Sequence, residues 1–143
     1  AQYTDSSLSS LSQFSLAGAT RARGYVANQF SADKAAYIGF DWIFNSPDMF
    51  NFITIGTSKL SDITQPFLFV DGSYGVRKAL LNTEEDEIGQ LVDMGLGVKF
   101  AYQSRFRGNL QFAFPINNNF TNSDITEIDE SMKVVFDFQY SFL

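Results

Sequence analysis

Neither cysteine nor histidine occurs in this chain of 143 residues. Disulfide bridges are therefore excluded, as are metal sites built on Cys or His, a histidine general base and a cysteine nucleophile. Basic side chains are few. The 10 Lys and Arg stand against 16 Asp and Glu, and the net charge of −6 argues against a nucleic-acid binder. No stretch approaches the roughly 18 consecutive apolar residues of a membrane helix.

Phenylalanine is abundant, with 16 residues, and apolar residues recur with a period of two rather than a helical period. Five segments alternate in this way: residues 36–44, 67–76, 92–103, 110–116 and 132–142. A weaker segment covers about residues 13–17. Each segment has one continuous apolar face and one face of polar or small residues. The alternation, in a chain whose length suits one domain, predicts an all-β, antiparallel fold.

Two environments fit strands that have one apolar face. A soluble barrel or sandwich points that face inward, whereas a membrane barrel points it at lipid and keeps the polar face around a wet lumen. Aromatic residues lie toward the strand ends on the apolar face, as an interfacial girdle would. They are Trp42, Phe44, Tyr74, Tyr102, Tyr140 and Phe142. This placement favours a transmembrane β-barrel over the soluble alternative.

The connections between the strands alternate in length. Residues 17–34, 77–90 and 117–131 are long, and residues 103–107 form a short turn. Antiparallel strands put the long connections at one end of the sheet, as in bacterial outer-membrane barrels. Residues 45–65 break this pattern, and we expect residues 50–52 and 53–55 to prolong neighbouring strands. Five or six strands cannot close a barrel, so the chain hides two more strands or is one piece of a longer protein.

Several short motifs follow one another along the chain. They are Gln2-Tyr3-Thr4-Asp5, Leu8, Gln13-Phe14-Ser15-Leu16-Ala17-Gly18, Ala22-Arg23-Gly24-Tyr25, Gln65-Pro66-Phe67-Leu68-Phe69-Val70-Asp71 and Met94-Gly95-Leu96-Gly97-Val98. In order and strand placement they resemble the two-partner secretion transporters, the haemolysin secretion/activation proteins, whose outer-membrane superfamily also contains the barrel-assembly insertase. The terminal strand, which alternates up to Phe142, is similar to the assembly signal of outer-membrane proteins. The chain departs from the family pattern at Ala17, Ala22 and Ser73, where the family has Gly, Val and Gly.

The resemblance implies both a fold and a function. Residues 1–143 would be the C-terminal part of an outer-membrane β-barrel, namely the last five to six of its sixteen strands, with a loop at about 18–34 that folds into the lumen. The protein would lie in the bacterial outer membrane and export a partner exoprotein of the haemolysin or adhesin type. Its other partners would be outer-membrane lipid and the remainder of its own barrel upstream. We expect no enzyme activity, no cofactor, no metal and no nucleic-acid partner.

Arg23 and Asp71 are the foremost candidate site residues. A guanidinium and a carboxylate can form a bidentate pair, and by the resemblance this pair would latch the loop in the lumen and govern the transport path. The alternative is an exposed loop arginine and a lumen aspartate that do not touch. Gly24 would supply a special backbone conformation or a close approach. Tyr25 and Phe69 would pack around the contact between Arg23 and Asp71.

Other polar and small residues have plainer interpretations. Gly95 and Gly97 share one polar face, where they would leave room for the loop, with strand bending as the alternative. Asp41 and Asp93 lie on polar faces of separate strands, which favours lining of the lumen over an acid/base pair. The run Glu84-Glu85-Asp86-Glu87 lacks the spacing of a calcium loop and is typical of a solvated external loop.

Three other functions remain open from the sequence. Within the same superfamily, the chain could belong to an insertase that assembles other barrels. It could also form an autonomous small barrel with a structural or adhesive role at the cell surface. A soluble β-barrel that binds a ligand is the third alternative.

Overall fold

The computed structural model describes residues 3–4, 8–9, 12–27, 29–48, 51–79, 85–103, 105–123, 125 and 131–142. Gln2, Asp5 and Glu84, which belong to the sequence motifs above, lie outside these ranges, as does Phe50 of the predicted strand extension. In chain order the elements are β1 (Phe14–Ser15), β2 (Ser31–Ala32), β3 (Lys34–Ile43), β4 (Thr54–Ile55), β5 (Ser58–Lys59), α1 (Leu60–Ile63), β6 (Thr64–Arg77), β7 (Glu87–Tyr102), β8 (Phe106–Thr121) and β9 (Lys133–Tyr140). Within this part of the chain, no helix is both long and apolar enough to cross a bilayer.

The five long strands form one sheet in the order β3-β6-β7-β8-β9, and each is antiparallel to its neighbour. The protein is thus mostly antiparallel sheet with almost no helix, and the all-β prediction is confirmed. β7 and β8 each extend to 16 residues, longer than the alternation predicts, because they pair with each other along nearly their whole length. The sheet has two edges, β3 and β9, and it does not close into a barrel within the described residues.

The ends of the sheet differ in their connections. The segment before β3, the connection β6–β7 and the connection β8–β9 meet at one end, which we call the loop end. The turn β7–β8 and the insert 44–63 lie at the other end, the turn end. The expectation that residues 53–55 prolong a neighbouring strand is wrong, because β4 pairs with β5 in a hairpin of its own. Gly56 closes this hairpin with a left-handed φ of +62°, which suits a tight two-residue turn.

The two faces of the sheet carry different side chains. The covered face bears Phe69, Asp71, Asp93 and Gln111, and segment 12–33 lies on it. The opposite, open face bears large apolar side chains that are exposed. Among them are Ile38, Phe40, Val70, Leu96, Phe136 and Phe138. Strict alternation of side-chain direction along each strand produces this separation.

Segment 12–33 is largely irregular. The weaker strand predicted at 13–17 is present as the two-residue β1. It pairs with β2 in a separate small sheet and does not add a sixth strand to the main sheet. Apolar residues of the segment form the main core with two residues of the large sheet. This core consists of Leu16, Ala17, Ala22, Tyr25, Phe30 and Ala32 from the segment, with Ala35 and Leu91. The segment packs very close to the sheet at Gly75 of β6, because a Cβ atom there would lie only 2.6 Å from the Cβ atom of Ala32.

A buried aspartate fastens the segment at the loop end. Asp33 is fully buried, and its carboxylate accepts hydrogen bonds from the backbone N–H groups of Leu8 and Lys78, both at 2.7 Å. The side-chain amide of Gln13 donates a third bond at 3.2 Å. These bonds join the start of the segment to the connection that follows β6, and so fix where the segment enters the sheet.

Candidate functional site

Arg23 reaches from segment 12–33 onto the covered face and contacts Asp71 of β6. Its Nε–H donates to Asp71 Oδ2 at 2.7 Å, and Nη2–H donates to Oδ1 at 3.0 Å, so the contact is bidentate. Arg23 is 8% exposed and Asp71 is fully buried. Asp71 occupies this place because the alternation along β6 puts it on the covered face, next to Phe69. The structure therefore contains the pairing that the sequence suggested.

Three more polar side chains complete the contact. Nη2 of Arg23 also donates to Asp41 Oδ1 of β3 at 2.8 Å, and Nη1 donates to Gln111 Oε1 of β8 at 3.1 Å. The hydroxyl of Tyr37 donates to Asp71 Oδ1 at 2.8 Å. We call these five residues the Arg23 cluster. A single arginine of the segment thus bonds to three strands of the sheet.

Phe69 forms a floor beneath the guanidinium. Cζ of Arg23 lies 3.6 Å from the centroid of the Phe69 ring, a cation–π contact. The ring lies over Gly95 of β7, where any added Cβ atom would collide with it, and Gly97 accommodates the ring of Phe67 in the same way. These glycines therefore make room for two phenylalanine rings, and not directly for the loop as predicted. The guanidinium then rests on the upper surface of one ring.

Gly24 approaches β7 closely. Its N–H donates to Asp93 Oδ2 at 3.1 Å. An added Cβ atom would lie 2.8 Å from Asp93 Cβ and 3.1 Å from the backbone nitrogen of Pro115, so only glycine fits here without a shift. The left-handed residue of this turn is Ala22, with a φ of +39°. Asp93 is fully buried, and its Oδ1 has no hydrogen-bond partner among the described residues.

Tyr25 lies at a β-bulge between β7 and β8. The register passes from Val92 opposite Asn117 to Asp93 opposite Pro115, and Ile116 is the extra residue. The hydroxyl oxygen of Tyr25 lies 3.0 Å from the carbonyl oxygen of Val92 and 2.8 Å from that of Asn117, and its proton can be donated to either. A bulge leaves backbone groups unpaired, and this hydroxyl supplies the missing donor. The hydroxyl of Tyr25 therefore contacts the bulge, a contact that the sequence did not predict.

The charges of the Arg23 cluster are balanced when the neighbouring Lys99 is included. Lys99 Nζ lies 3.6 Å from Asp41 Oδ2, so two cations face the two carboxylates of Asp41 and Asp71. Burial by itself would lower the pKa of Arg23, but hydrogen bonds to Asp71 and Asp41 outweigh it, and the pKa is raised. Arg23 therefore stays charged. Removal of one partner from a buried ion pair leaves an uncompensated charge, which costs about 3–5 kcal/mol.

A cavity of about 620 Å³ lies on the covered face beside the cluster. Its polar lining includes Arg23, Asp41 and Gln111 of the cluster and also Lys99, Asn109 and Asp137, and apolar residues such as Phe67 complete it. Within the described ranges, no three acidic side chains are grouped as ligands for a metal ion. The arrangement can form ion pairs and hydrogen bonds with an arriving polar group.

Sequence reasoning identified only some of these residues. The sequence analysis named Arg23, Asp71 and Phe69, which the structure brings together. It also named Asp41, but only as a residue lining the polar face, and it predicted no contact with Arg23. It missed Tyr37 and Gln111. Each lies on the polar face of its strand. Tyr37 reaches Asp71, and Gln111 reaches Arg23, only because of the register in which the strands pair, and alternation does not specify that register.

Three consecutive residues thus anchor the segment on the sheet. Arg23 contacts β3, β6 and β8, Gly24 contacts β7, and Tyr25 contacts the bulge between β7 and β8.

No family model, no curated protein and no solved structure was found to match the chain.

Proposed function

We propose that the sheet is part of an outer-membrane β-barrel whose open face contacts lipid. The polarity of the two faces carries this proposal. Phe136 on the open face is 67% exposed, whereas Asp71 and Asp93 on the covered face are fully buried. Soluble monomers rarely expose contiguous apolar patches larger than a few hundred Å². Lipid on the open face removes the cost of exposing such a surface to water.

The two edges of the described sheet, β3 and β9, support a larger barrel. In a bilayer, N–H and C=O groups left unpaired along an open sheet edge would each cost several kcal/mol. Further strands that pair with both edges remove this cost. In this proposal the chain contributes five of sixteen strands, the remainder of the barrel lies upstream, and the covered face lines the lumen of a pore in the bacterial outer membrane.

The pore in this proposal is a polypeptide transporter of the two-partner secretion type, and its cargo is a partner exoprotein. The Arg23 cluster supports this function, because it fixes a loop against the wall that would line the path. The loop leaves the wall only when the buried ion pair of Arg23 and Asp71 opens. A closed state with a defined barrier is what a secretion pore needs in the absence of cargo.

The latch is tested by charge exchange in the complete transporter. Arg23→Asp and Asp71→Arg each bury like charges together, and each is expected to reduce secretion of the exoprotein. The double variant restores opposite charges and is expected to recover part of it. Arg105→Asp, in the exposed turn β7–β8, is the matched control and should secrete normally. Equal secretion by the wild type and both single variants would contradict the latch.

The membrane location is tested separately. The complete protein is expected to fractionate with outer membranes and to need detergent for extraction. A monodisperse monomer in detergent-free buffer, with its apolar face inside, would instead indicate a soluble β-barrel. The structure argues against that arrangement, because segment 12–33 covers the polar face and leaves the apolar face open.

A further inference from the structure

The insert 44–63 at the turn end is folded, although it is long. The N–H of Phe44 donates to the carbonyl oxygen of Pro66 at 2.9 Å, and the hydroxyls of Ser46 and Thr64 lie 2.8 Å apart. Within the insert, the N–H of Leu60 donates to the carbonyl oxygen of Ile53 at 2.8 Å. With the hairpin β4–β5 and the single turn α1, these bonds order the backbone of the described residues of the insert, 44–48 and 51–63.

The hairpin region of the insert presents apolar side chains to its surroundings. Phe52 is 79% exposed, Ile55 45% and Ile53 37%. None of residues 51–58 carries a charge, and Lys59 follows directly. A fixed surface of this kind is unfavourable in water and indicates an apolar partner.

The insert joins the sheet at the rim of the open face. It begins at Phe44, whose ring stacks with that of Trp42 at the end of β3, with ring centroids 5.5 Å apart. The hairpin tip lies against Tyr102, with which a Cβ atom on Gly56 would collide, and Tyr102 shares the open-face register of β7. Asp62 of α1 lines a cavity with Lys99, which lies on the covered-face register of β7.

We infer that the insert is an anchor at the membrane interface, with Phe52, Ile53 and Ile55 in the boundary between lipid headgroups and acyl chains. The inference rests on the proposed lipid contact of the open face, because the insert adjoins that face through the stack of Trp42 and Phe44 and through Tyr102. Aromatic and apolar side chains with a neighbouring lysine are typical of segments that lie in this boundary. Lys59 suits the anionic headgroups there.

The anchor is tested with nitroxide labels on the complete protein in vesicles of phosphatidylcholine and phosphatidylglycerol. This chain has no cysteine, so Phe52→Cys, Asp62→Cys and Phe136→Cys each introduce one attachment point into it. Collision rates with oxygen and with a water-soluble nickel chelate report the depth of each label. The label at 52 is expected about 5–10 Å below the headgroup level. The label at 136 should lie deeper, and the label at 62 should be open to the chelate.

The outcomes separate the anchor from the proposed function. If the labels at 52 and 62 meet the chelate equally while the label at 136 stays dry, the anchor is wrong and the membrane barrel stands. If neither oxygen nor chelate reaches the label at 52, a protein partner covers the insert, and the anchor is again wrong. Chelate access at 136 would overturn the membrane barrel itself.

Discussion

At the scale of single residues, the guanidinium of Arg23 has a geometry that no other side chain reproduces. Its planar fork donates to Asp71 through two nitrogens while the same group bonds to Asp41 and Gln111. A lysine ammonium is a compact point charge and cannot span acceptors on three strands. The ring of Phe69 beneath the guanidinium adds a contact that favours a flat cation.

Arg23→Lys is therefore expected to keep the charge and lose the anchoring. Loss of one or more charged hydrogen bonds should weaken docking of the segment by roughly 1.5–3 kcal/mol. Hydrogen exchange measured by mass spectrometry should show faster exchange in residues 18–27 and unchanged exchange in β7 and β8. Equal protection of residues 18–27 in both proteins would show that charge alone anchors the segment.

Gly24→Ala tests the close approach to β7. The added Cβ atom would lie 2.8 Å from Asp93 Cβ and 3.1 Å from a backbone nitrogen that cannot move freely, and overpacking of this kind costs about 1–3 kcal/mol. The same exchange measurement should show a loosened segment. Gly72→Ala is the matched control, because its Cβ atom would meet Ile38 at an ordinary 3.5 Å on the open face. Similar effects of both substitutions would contradict the proposed close contact.

At the scale of elements, the sequence predicts the strands better than it predicts their pairing. The five long strands are recognisable from alternation alone. The bulge at Ile116 is not, because the apolar pattern continues through it and places Ile116 with Phe114 on one face. Only the pairing of β7 with β8 shows an extra residue there. The hydroxyl of Tyr25 bonds to backbone carbonyl groups at this bulge. Bulges are common next to functional sites, where they redirect backbone groups or side chains.

Tyr25→Phe removes the hydroxyl and keeps the ring in the core. The carbonyl oxygens of Val92 and Asn117 then lose a buried donor, which is expected to cost about 1–3 kcal/mol. Chemical unfolding followed by tyrosine fluorescence or circular dichroism measures the change. Tyr74→Phe on the open face, where the side chain is exposed, should change stability much less. A stable Tyr25→Phe variant would show that water replaces the hydroxyl at the bulge.

At the scale of the whole molecule, the decisive property is the distribution of polarity between the faces. The buried layer contains Asp71, Asp93 and Gln111, and the exposed layer contains leucine, valine and phenylalanine. In the proposed barrel, lipid would cover the apolar face and the lumen would lie on the polar face. The Arg23 cluster lies on the covered face, and its buried charges are paired there because an unpaired charge away from water is costly.

Leu96→Arg tests this distribution in membranes. Leu96 lies near the middle of the open face, opposite Leu68 and Phe112, and an arginine at the bilayer midplane is expected to cost about 2–4 kcal/mol. Urea unfolding of the complete protein in vesicles measures this change. Gln139→Arg, on the covered-face register of β9, should alter stability by no more than about 0.5 kcal/mol. If both substitutions changed the stability equally little, water would have to contact both faces, and the proposed lipid contact of the open face would be wrong.

Alternation in the sequence determined which residues form strands and which face each side chain takes, because side-chain direction in a strand alternates strictly. It also placed Asp71 with the polar residues, whereas Arg23 and its pairing with Asp71 were predicted from the family resemblance. Tertiary structure decided that segment 12–33 lies on the covered face, that Gln111 and Tyr37 join Arg23 and Asp71, and that the insert forms its own hairpin. Arg23 is 48 residues from Asp71 and 88 from Gln111, and contacts over such distances depend on strand register and loop packing, which no local pattern encodes.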